Sequence, residues 1–221
     1  MPRFVASVLF TASLLVTAVA QGLGAPPAES EEGFAPLFNS RDLTGWQAIG
    51  NAKAWHAADG LLYCEGGGGG WLSTVKEYDN FVLRLQYKVP GGGNSGVFIR
   101  APHEGDPAYT GMEIQVLDDY AKQYAKLNAF QYTGSIYDVV APSKRVTKPA
   151  GEWNEMEITG EGRRIKVRIN GQLVVDADLD DHKDSEARHP GLRRTKGYIG
   201  FQNHGTRLDY RNVRIKPLSA Q

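Results

Sequence analysis

Residues 91–118 contain two short strand-like runs that carry charged and amide side chains on one face. Because side chains alternate along a strand, the apolar residues of both runs fall on one face and the polar residues on the other. If the runs pair in one sheet, the polar face presents a guanidinium, a carboxylate and an amide to the same space. These side chains are Arg100, Glu113 and Gln115, with Asp118 at the rim. The spacing therefore predicts a polar site built on a rigid sheet.

Two carboxylates in this stretch are candidates for acid–base chemistry on a sugar. Ordinary glycoside hydrolysis uses a carboxylate pair, one member of which is a general acid with a raised pKa. Glu113 and Asp118 would be that pair, but five residues of extended strand separate them by roughly 16 Å. That distance is too long unless the chain folds back. The alternative is structural, since Arg100 and Glu113 would also fit an ordinary cross-strand ion pair.

Composition narrows the classes of protein and of cofactor. The chain has 221 residues, with 25 basic and 25 acidic side chains, so the basic surplus of a nucleic-acid binder is missing. Cys64 is the single cysteine and excludes an intrachain disulfide; its place in a strand-like run favours a buried, inert thiol. Neither an HExxH motif nor paired cysteines occur in the sequence. We therefore predict no cofactor and no metal ligands, while a divalent metal stays an open alternative.

The amino terminus has the features of a secretory signal peptide. Arg3 precedes an apolar run over residues 4–19, and Ala-Val-Ala at residues 18–20 fits a cleavage site. A membrane anchor is the alternative, but the run is shorter than the roughly 20 residues of a spanning helix. We predict a signal peptide at residues 1–20, a flexible leader at 21–33 and one domain at 34–218. The mature protein would be exported to the periplasm or the medium, with no membrane span.

The rest of the chain reads as an all-β protein. About a dozen short alternating runs, separated by turn residues, predict a sandwich of antiparallel sheets. The clearest turn is Asn170-Gly171, which favours a type I′ hairpin because both positions need a positive φ. In the last run the apolar phase shifts between Tyr210 and Val213, which predicts a bulge. Five glycines at residues 66–70 lack the Lys-Ser/Thr ending of a phosphate-binding loop and are interpreted as a hairpin loop.

Seven segments follow each other in the order and spacing of a known family. They are FAPLFNSRDLTGW at 34–46, WLSTVKEYDNF at 71–81, NSGVFIR at 94–100, GMEIQVLD at 111–118, TGSIY at 133–137, GEWN at 151–154 and GYIGFQNHG at 197–205. Together they resemble the 3-keto-disaccharide hydrolases, also described as 3-keto-glucoside lyase/hydratases. The resemblance runs over residues 34–218. It implies a single-domain, concanavalin A-like jelly roll of two antiparallel sheets with an oligosaccharide or glycoside substrate in its concave face.

The resemblance also implies a chemistry. A ketone at C3 of a sugar acidifies the C2 proton, so a base can remove it, the C1 substituent can leave, and water can add. In that scheme Glu113 and His204 are the acid–base pair, in either order, and Arg100 stabilises the enolate. The predicted substrate-binding residues are Asn94, Gln115, Asp118, Tyr137 and Gln202.

Two other classes of function fit the same fold. A non-catalytic carbohydrate-binding module would use the polar residues only to hydrogen-bond hydroxyl groups. An adhesion domain of the laminin-G type would need a calcium site at its rim and a protein partner. The sequence leaves open the leaving group, the anomeric preference, which residue is the base, and the oligomeric state.

Overall fold

The computed structural model describes residue 1 and residues 33–219. The predicted signal peptide, and the leader up to residue 32, lie outside the described residues. No helix within residues 33–219 has the length and hydropathy that crossing a bilayer demands.

Within residues 33–219, thirteen strands form two antiparallel sheets, one of eight strands and one of five. The larger sheet contains β1 (Ala35–Pro36), β3 (Trp55–Ala58), β4 (Leu61–Cys64), β6 (Phe81–Lys88), β9 (Trp153–Glu161), β10 (Arg164–Ile169), β11 (Gln172–Asp178) and β13 (Leu208–Pro217). The smaller sheet contains β2 (Trp46–Gly50), β5 (Gly70–Tyr78), β7 (Asn94–Ala101), β8 (Met112–Leu117) and β12 (Gly197–Gln202).

The strand order interleaves early and late parts of the chain. It is β11-β10-β9-β6-β13-β4-β3 in the larger sheet, with β1 also paired to β13, and β2-β5-β12-β7-β8 in the smaller sheet. Short helical segments join the strands: α1 (Pro107–Thr110) and the 3-10 turns Ala52–Ala54, Lys122–Tyr124, Ala129–Gln131, Leu179–Ala187 and Pro190–Arg193. The protein is thus the all-β, concanavalin A-like jelly-roll sandwich that the sequence predicts.

The core lies between the two sheets and follows from alternation. In β6 every second residue is buried, including Phe81 and Leu83, which face the other sheet. Val97 of β7 and Ile114 of β8 come from the smaller sheet and are 0% exposed. Each such side chain stabilises the fold by about 1.5–3 kcal/mol. The packing fixes the smaller sheet rigidly, and its opposite face holds the polar residues.

Two local predictions are confirmed in the larger sheet. Asn170 and Gly171 have φ of 49° and 77°, as a type I′ hairpin requires, and they join β10 to β11. In β13 the register shifts between Arg211 and Arg214, and Asn212 has φ of 51°, so the predicted bulge is present.

The interpretation of residues 66–70 as a hairpin loop is wrong. The segment leads from β4 in the larger sheet to β5 in the smaller one, so it crosses between sheets. All five glycines have a positive φ, which only glycine adopts at low cost. Gly69 N–H donates to the Asn203 carbonyl at 3.2 Å, and the crossing therefore packs against the chain just after β12.

Candidate active site

A polar cavity of about 180 Å³ lies on the face of the smaller sheet that points away from the core. Its lining comes from β7, β8, β12, α1 and the segment after β8. The lining residues are Asn94, Asp106, Ala108, Tyr109, Glu113, Gln115, Tyr137, Gln202 and His204. Six of the eight site residues predicted from the sequence are therefore brought together, counted over the described residues. We call this space the polar cavity.

Alternation on β8 and a glycine on β7 position the central carboxylate. Glu113 pairs with Phe98 across the two strands, and Gln115 pairs with Gly96. A Cβ built on Gly96 would overlap the Glu113 carboxylate, so Glu113 lies across the glycine. No residue larger than glycine fits at position 96 without displacing Glu113.

The free edge of β8 is covered by the segment that carries Tyr137. Tyr137 N–H donates to the Glu113 carbonyl at 2.9 Å, and Gln115 N–H donates to the Ser135 carbonyl at 3.1 Å. The segment therefore runs alongside β8 like a short extra strand. This pairing is why a tyrosine 24 positions beyond Glu113 in the sequence reaches the same cavity.

Glu113 is an unusual carboxyl group for a sheet surface. Its side chain is 3% exposed, and burial, assisted by the nearby Asp106 charge, raises its pKa to about 8. Within residues 33–219 no donor forms a hydrogen bond to this carboxylate. Buried carboxyl groups in structural roles are normally paired with a cation or with N–H donors. The Glu113 oxygens are thus left for a ligand.

Neutral polar groups surround the carboxyl group and are also incompletely satisfied. Asn94 Oδ1 and Gln202 Oε1 are buried and have no partner among the described residues. Gln115 Oε1 accepts from Val116 N–H at 2.9 Å, and the residue lines the cavity, where its NH₂ group can act as a donor. Tyr137 Oη accepts from Gln131 Nε2 at 3.1 Å, so its own proton is available to the cavity. These groups can bind hydroxyl and carbonyl oxygens.

His204 lies at the rim, immediately after β12, and its side chain is exposed. It lines the same cavity as Glu113, but Glu113 is buried and His204 is not. The two groups that the sequence offers as an acid–base pair therefore differ in position: one lies on the floor and one at the mouth.

Sequence reasoning missed Asp106 and Tyr109. Asp106 is the N-cap of α1 and accepts from Ala108 N–H at 3.0 Å, while Tyr109 stacks on the buried His189 ring at 4.9 Å. The signal was present, because Asp followed by Pro107 is a typical helix start. The apolar periodicity of a four-residue helix is too short to detect, so the element was overlooked.

The structure corrects the prediction for Arg100, which does not reach the polar cavity. Its guanidinium is fully buried and donates to the main-chain carbonyls of Gly162 at 2.7 Å, Asp79 at 3.1 Å and Arg194 at 3.3 Å. Burial lowers its pKa to about 10. The ion pair with Glu113 is absent from the described residues as well. Arg100 instead ties the end of β7 to neighbouring loops.

The reason is a break in the alternation of β7. The pairing of β12 with β7 shifts register between Tyr198 and Gly200, and Arg100 itself has φ of 51°. A positive φ in a non-glycine residue turns the chain, and side-chain parity is lost there. Parity therefore holds for Phe98 and fails for Arg100.

Asp118 is also outside the polar cavity. Its carboxylate accepts from Gly92 N–H at 2.9 Å and from Tyr120 N–H at 3.2 Å. The first bond joins the chain before β7 to the chain after β8, and the second closes a local turn after β8. Asp118 is therefore a structural cap at the end of the strand pair, since both oxygens are used by the protein.

A second cavity of about 390 Å³ adjoins the first and is called the aromatic cavity here. Trp71 and Phe98 line it, with their rings edge to face at 5.5 Å, and Ile49 lies beside them. A Cβ on Gly200 would overlap the Trp71 ring. The position of the Trp71 side chain therefore requires a glycine at 200, just as that of Glu113 requires a glycine at 96. The rest of the lining is formed by glycines and by Asp106, Pro107, Gln202 and Asn203.

Among the described residues, the structure supports neither a metal site nor a reactive cysteine. In the part of the chain that the structure describes, no three His, Cys, Asp or Glu side chains are arranged to hold a metal ion. Cys64 is buried, and burial raises the pKa of its thiol. Trp46 and Trp55 are core residues, and Trp153 lies on the larger sheet against Lys88 and Arg211. Trp71 is therefore the tryptophan that lines a cavity.

The model of the 3-keto-alpha-glucoside-1,2-lyase-like domain matches residues 33–216, nearly all of the described chain. The chain belongs to this family. The resemblance seen in the sequence is therefore confirmed. The polar cavity belongs to a protein whose family is named for a lyase of 3-keto-glucosides.

Individual relatives agree with this membership. A 3-keto-disaccharide hydrolase of Bacteroides thetaiotaomicron is 28% identical, with 85% of this chain and 79% of the relative covered. The crystal structure of a candidate glycosyl hydrolase from Parabacteroides distasonis has a TM-score of 0.73 at 32% identity, with 84% of this chain and 99% of that chain covered. The carbohydrate-binding module CBM66 of Bacillus subtilis, at 16% identity and a TM-score of 0.56, covers 80% of this chain and 97% of that one and shares the fold alone.

Proposed function

We propose that this protein cleaves 3-keto-glycosides by removing the C2 proton, expelling the C1 substituent and adding water. The observation that carries the proposal is Glu113: a buried carboxyl group with a pKa of about 8 and no hydrogen-bond donor among the described residues. Family membership and the relative named as a 3-keto-disaccharide hydrolase support the choice of substrate. An oxidised sugar suits the cavity because its cleavage starts with one buried base and does not need a pair of carboxylates.

The first step is a proton transfer from C2 to Glu113. A ketone at C3 lets the electron pair of the C2–H bond move into an enolate. The desolvated carboxylate is a stronger base than one in water, because burial disfavours its charged form. With a pKa of about 8, about one molecule in ten carries the ionised base at pH 7. Activity should therefore rise with pH through that value.

Neutral donors stabilise the enolate in this proposal. Gln115 and Tyr137 both line the cavity, and the Gln115 NH₂ group and the Tyr137 hydroxyl group can donate there. Fixed donors aimed at a developing negative charge are a main source of catalysis in enclosed sites. They take the role first given to Arg100. The amide oxygens of Asn94 and Gln202 accept from the sugar hydroxyl groups.

In the second step the enolate re-forms the ketone and the C1–O bond breaks. The departing oxygen takes a proton from His204, whose exposed position at the mouth suits a group that exchanges protons with solvent. Water then adds to C1 of the unsaturated ketone and gives one proton to His204, while Glu113 returns its proton to C2. The products are the alcohol and the free 3-keto sugar, so the sum is a hydrolysis.

We also propose that the protein acts outside the cytoplasm. The support is the signal-like sequence at residues 1–20. Determining the first residue of the mature protein by mass spectrometry tests this, and cleavage after Ala20 is expected. An intact amino terminus in the purified cellular protein would contradict it.

The test of function uses the two anomers of 4-nitrophenyl 3-keto-glucoside with the purified protein. We expect release of 4-nitrophenol from at least one anomer and the appearance of 3-keto-glucose. The matched control is 4-nitrophenyl glucoside, which lacks the ketone and should not react. Binding of the keto-glucoside without any release would support the carbohydrate-binding alternative instead.

A further inference from the structure

The aromatic cavity takes no part in the proton chemistry above, yet it opens onto the same site. Asp106 and Gln202 line both cavities, so the two spaces meet there. The polar cavity measures about 180 Å³, which at roughly 30 Å³ per water is the volume of about six waters. That is room for one sugar ring. A glycoside bound in the polar cavity must therefore place its C1 substituent elsewhere.

The aromatic cavity has the surface that a ring would need. The rings of Trp71 and Phe98 meet edge to face at 86° and are 3% and 1% exposed, so most of the accessible apolar wall comes from half-buried Ile49 and the main chain around it. Gly69 and Gly70 line the space with main chain only, which leaves it wide. Aromatic and aliphatic surfaces of this kind bind flat rings by face contact and by removing apolar area from water.

The junction of the two cavities supplies one polar contact. Gln202 Oε1 is buried and has no partner among the described residues. An unpaired buried acceptor costs about 1–3 kcal/mol. A hydroxyl group on a ring in the aromatic cavity, next to C1 of the first ring, could donate to this oxygen.

We propose that the aromatic cavity is the leaving-group subsite, and that it takes a six-membered ring joined to C1, with one face against Ile49 and the glycine main chain beside the buried rings of Trp71 and Phe98. The inference rests on the proposed function, because it assumes that the reacting sugar occupies the polar cavity. The ring could be a second sugar or an aryl group, which share the flat apolar face. A small alkyl substituent would leave the cavity unfilled.

The experiment narrows the aromatic cavity and compares three substrates. Ile49→Trp lies on the edge strand β2 and adds bulk inside the cavity, and the substrates are methyl, phenyl and glucosyl 3-keto-glucosides. We expect the variant-to-wild-type ratio of kcat/KM to fall at least about tenfold more for a ring than for methyl. Intrinsic leaving-group reactivity cancels in that ratio. Val75→Trp, at a 52% exposed position outside both cavities, is the matched control and should change nothing.

The outcomes separate the inference from the function. A selective loss with the glucosyl substrate supports a sugar in the subsite, and a selective loss with the phenyl substrate supports an aryl group. Equal losses with all three substrates, or none, overturn the subsite while the function stands. A wild-type protein inactive on all three removes the proposed function and the inference with it. If Ile49→Trp does not fold, Ile49→Phe provides the same comparison with a smaller change.

Discussion

The two sheets of the sandwich treat polar residues in opposite ways. On the outer face of the larger sheet, charges pair with each other, as in Arg84 with Glu157 at 2.7 Å and Lys88 with Asp209 at 2.9 Å. On the cavity face of the smaller sheet, Glu113 has no protein donor among the described residues, although it is only 3% exposed. The alternation of apolar and polar residues in the sequence is similar for the strands of both sheets. The two faces differ in whether their polar side chains find hydrogen-bond or ion-pair partners within the protein.

Unsatisfied groups destabilise the fold, and they mark where a ligand compensates. A buried polar group without a partner costs about 1–3 kcal/mol. The polar cavity contains at least two such amide oxygens besides the Glu113 carboxyl, counted over residues 33–219. If the smaller sheet only stabilised the fold, we would expect these polar groups to be paired or apolar residues to stand in their place. We therefore interpret the smaller sheet as the working face and the larger sheet as its support.

The sharpest way to test this contrast makes the same chemical change on both faces. Glu113→Gln keeps the shape and removes the base, so kcat/KM on a reactive 3-keto-glucoside should fall on the order of 10²–10⁴-fold. Glu157→Gln makes the identical change in an ion pair and should leave kcat/KM unchanged. Similar rates in the two variants would show that the cavity carboxylate has no special role.

A second pair of variants concerns the two kinds of arginine. Arg100→Met removes a buried guanidinium and leaves several carbonyl groups unpaired, so the free energy of unfolding should fall by roughly 3 kcal/mol. Arg84→Met, in a half-exposed ion pair, should have a small effect. Urea titration measures both. A catalytic Arg100 would instead show a large loss of kcat with unchanged stability.

Much of this arrangement could be predicted from the sequence. Alternation in β8 correctly assigned Glu113 and Gln115 to one face, since regular strands obey parity. The type I′ hairpin at Asn170-Gly171 and the bulge in β13 also followed from local chemistry. These features depend on neighbours in the sequence, where stereochemistry is decisive.

What the sequence did not reveal depends on contacts between distant segments. Arg100 does not lie on the predicted face because the pairing of β7 with β12 shifts register near it. No local sequence pattern indicates that shift. Asp118 was taken for a site residue, but it is used by the main chain around it. Tyr109 enters the site through a four-residue helix that packs on His189, 80 positions away.

A smaller effect should appear in stability rather than in rate. Below about pH 4.5 the Glu113 carboxyl is protonated in both the folded and the unfolded state. Between that value and about 8 the folded state keeps the proton and the unfolded state releases it, so stability falls as pH rises. Glu113→Gln removes this penalty. Its free energy of unfolding should exceed that of the wild type by on the order of 4 kcal/mol more at pH 8.5 than at pH 4.5.

If that difference between variant and wild type is independent of pH, the raised pKa of Glu113 is wrong. Thermal or urea unfolding at a series of pH values supplies the measurement. Glu157→Gln is again the matched control, and its difference from the wild type should not grow with pH in the same direction.

The smallest expected effect comes from Asp106, whose charge helps to raise the Glu113 pKa. Asp106→Asn keeps the N-cap of α1, because Asn caps as well as Asp, but it removes the charge. The ionised form of Glu113 then becomes less unfavourable and its pKa falls. The rising limb of kcat/KM against pH, near 8 in the wild type, should move to lower pH. A shift to higher pH would contradict the assignment of this limb to Glu113.

The central claim is that a base on the floor of the polar cavity removes the C2 proton of a 3-keto sugar. The most direct measurement compares kcat/KM for 4-nitrophenyl 3-keto-glucoside carrying hydrogen or deuterium at C2, near the pH optimum. Our account predicts clearly slower release of 4-nitrophenol from the deuterated substrate. Equal rates for the two substrates would contradict it.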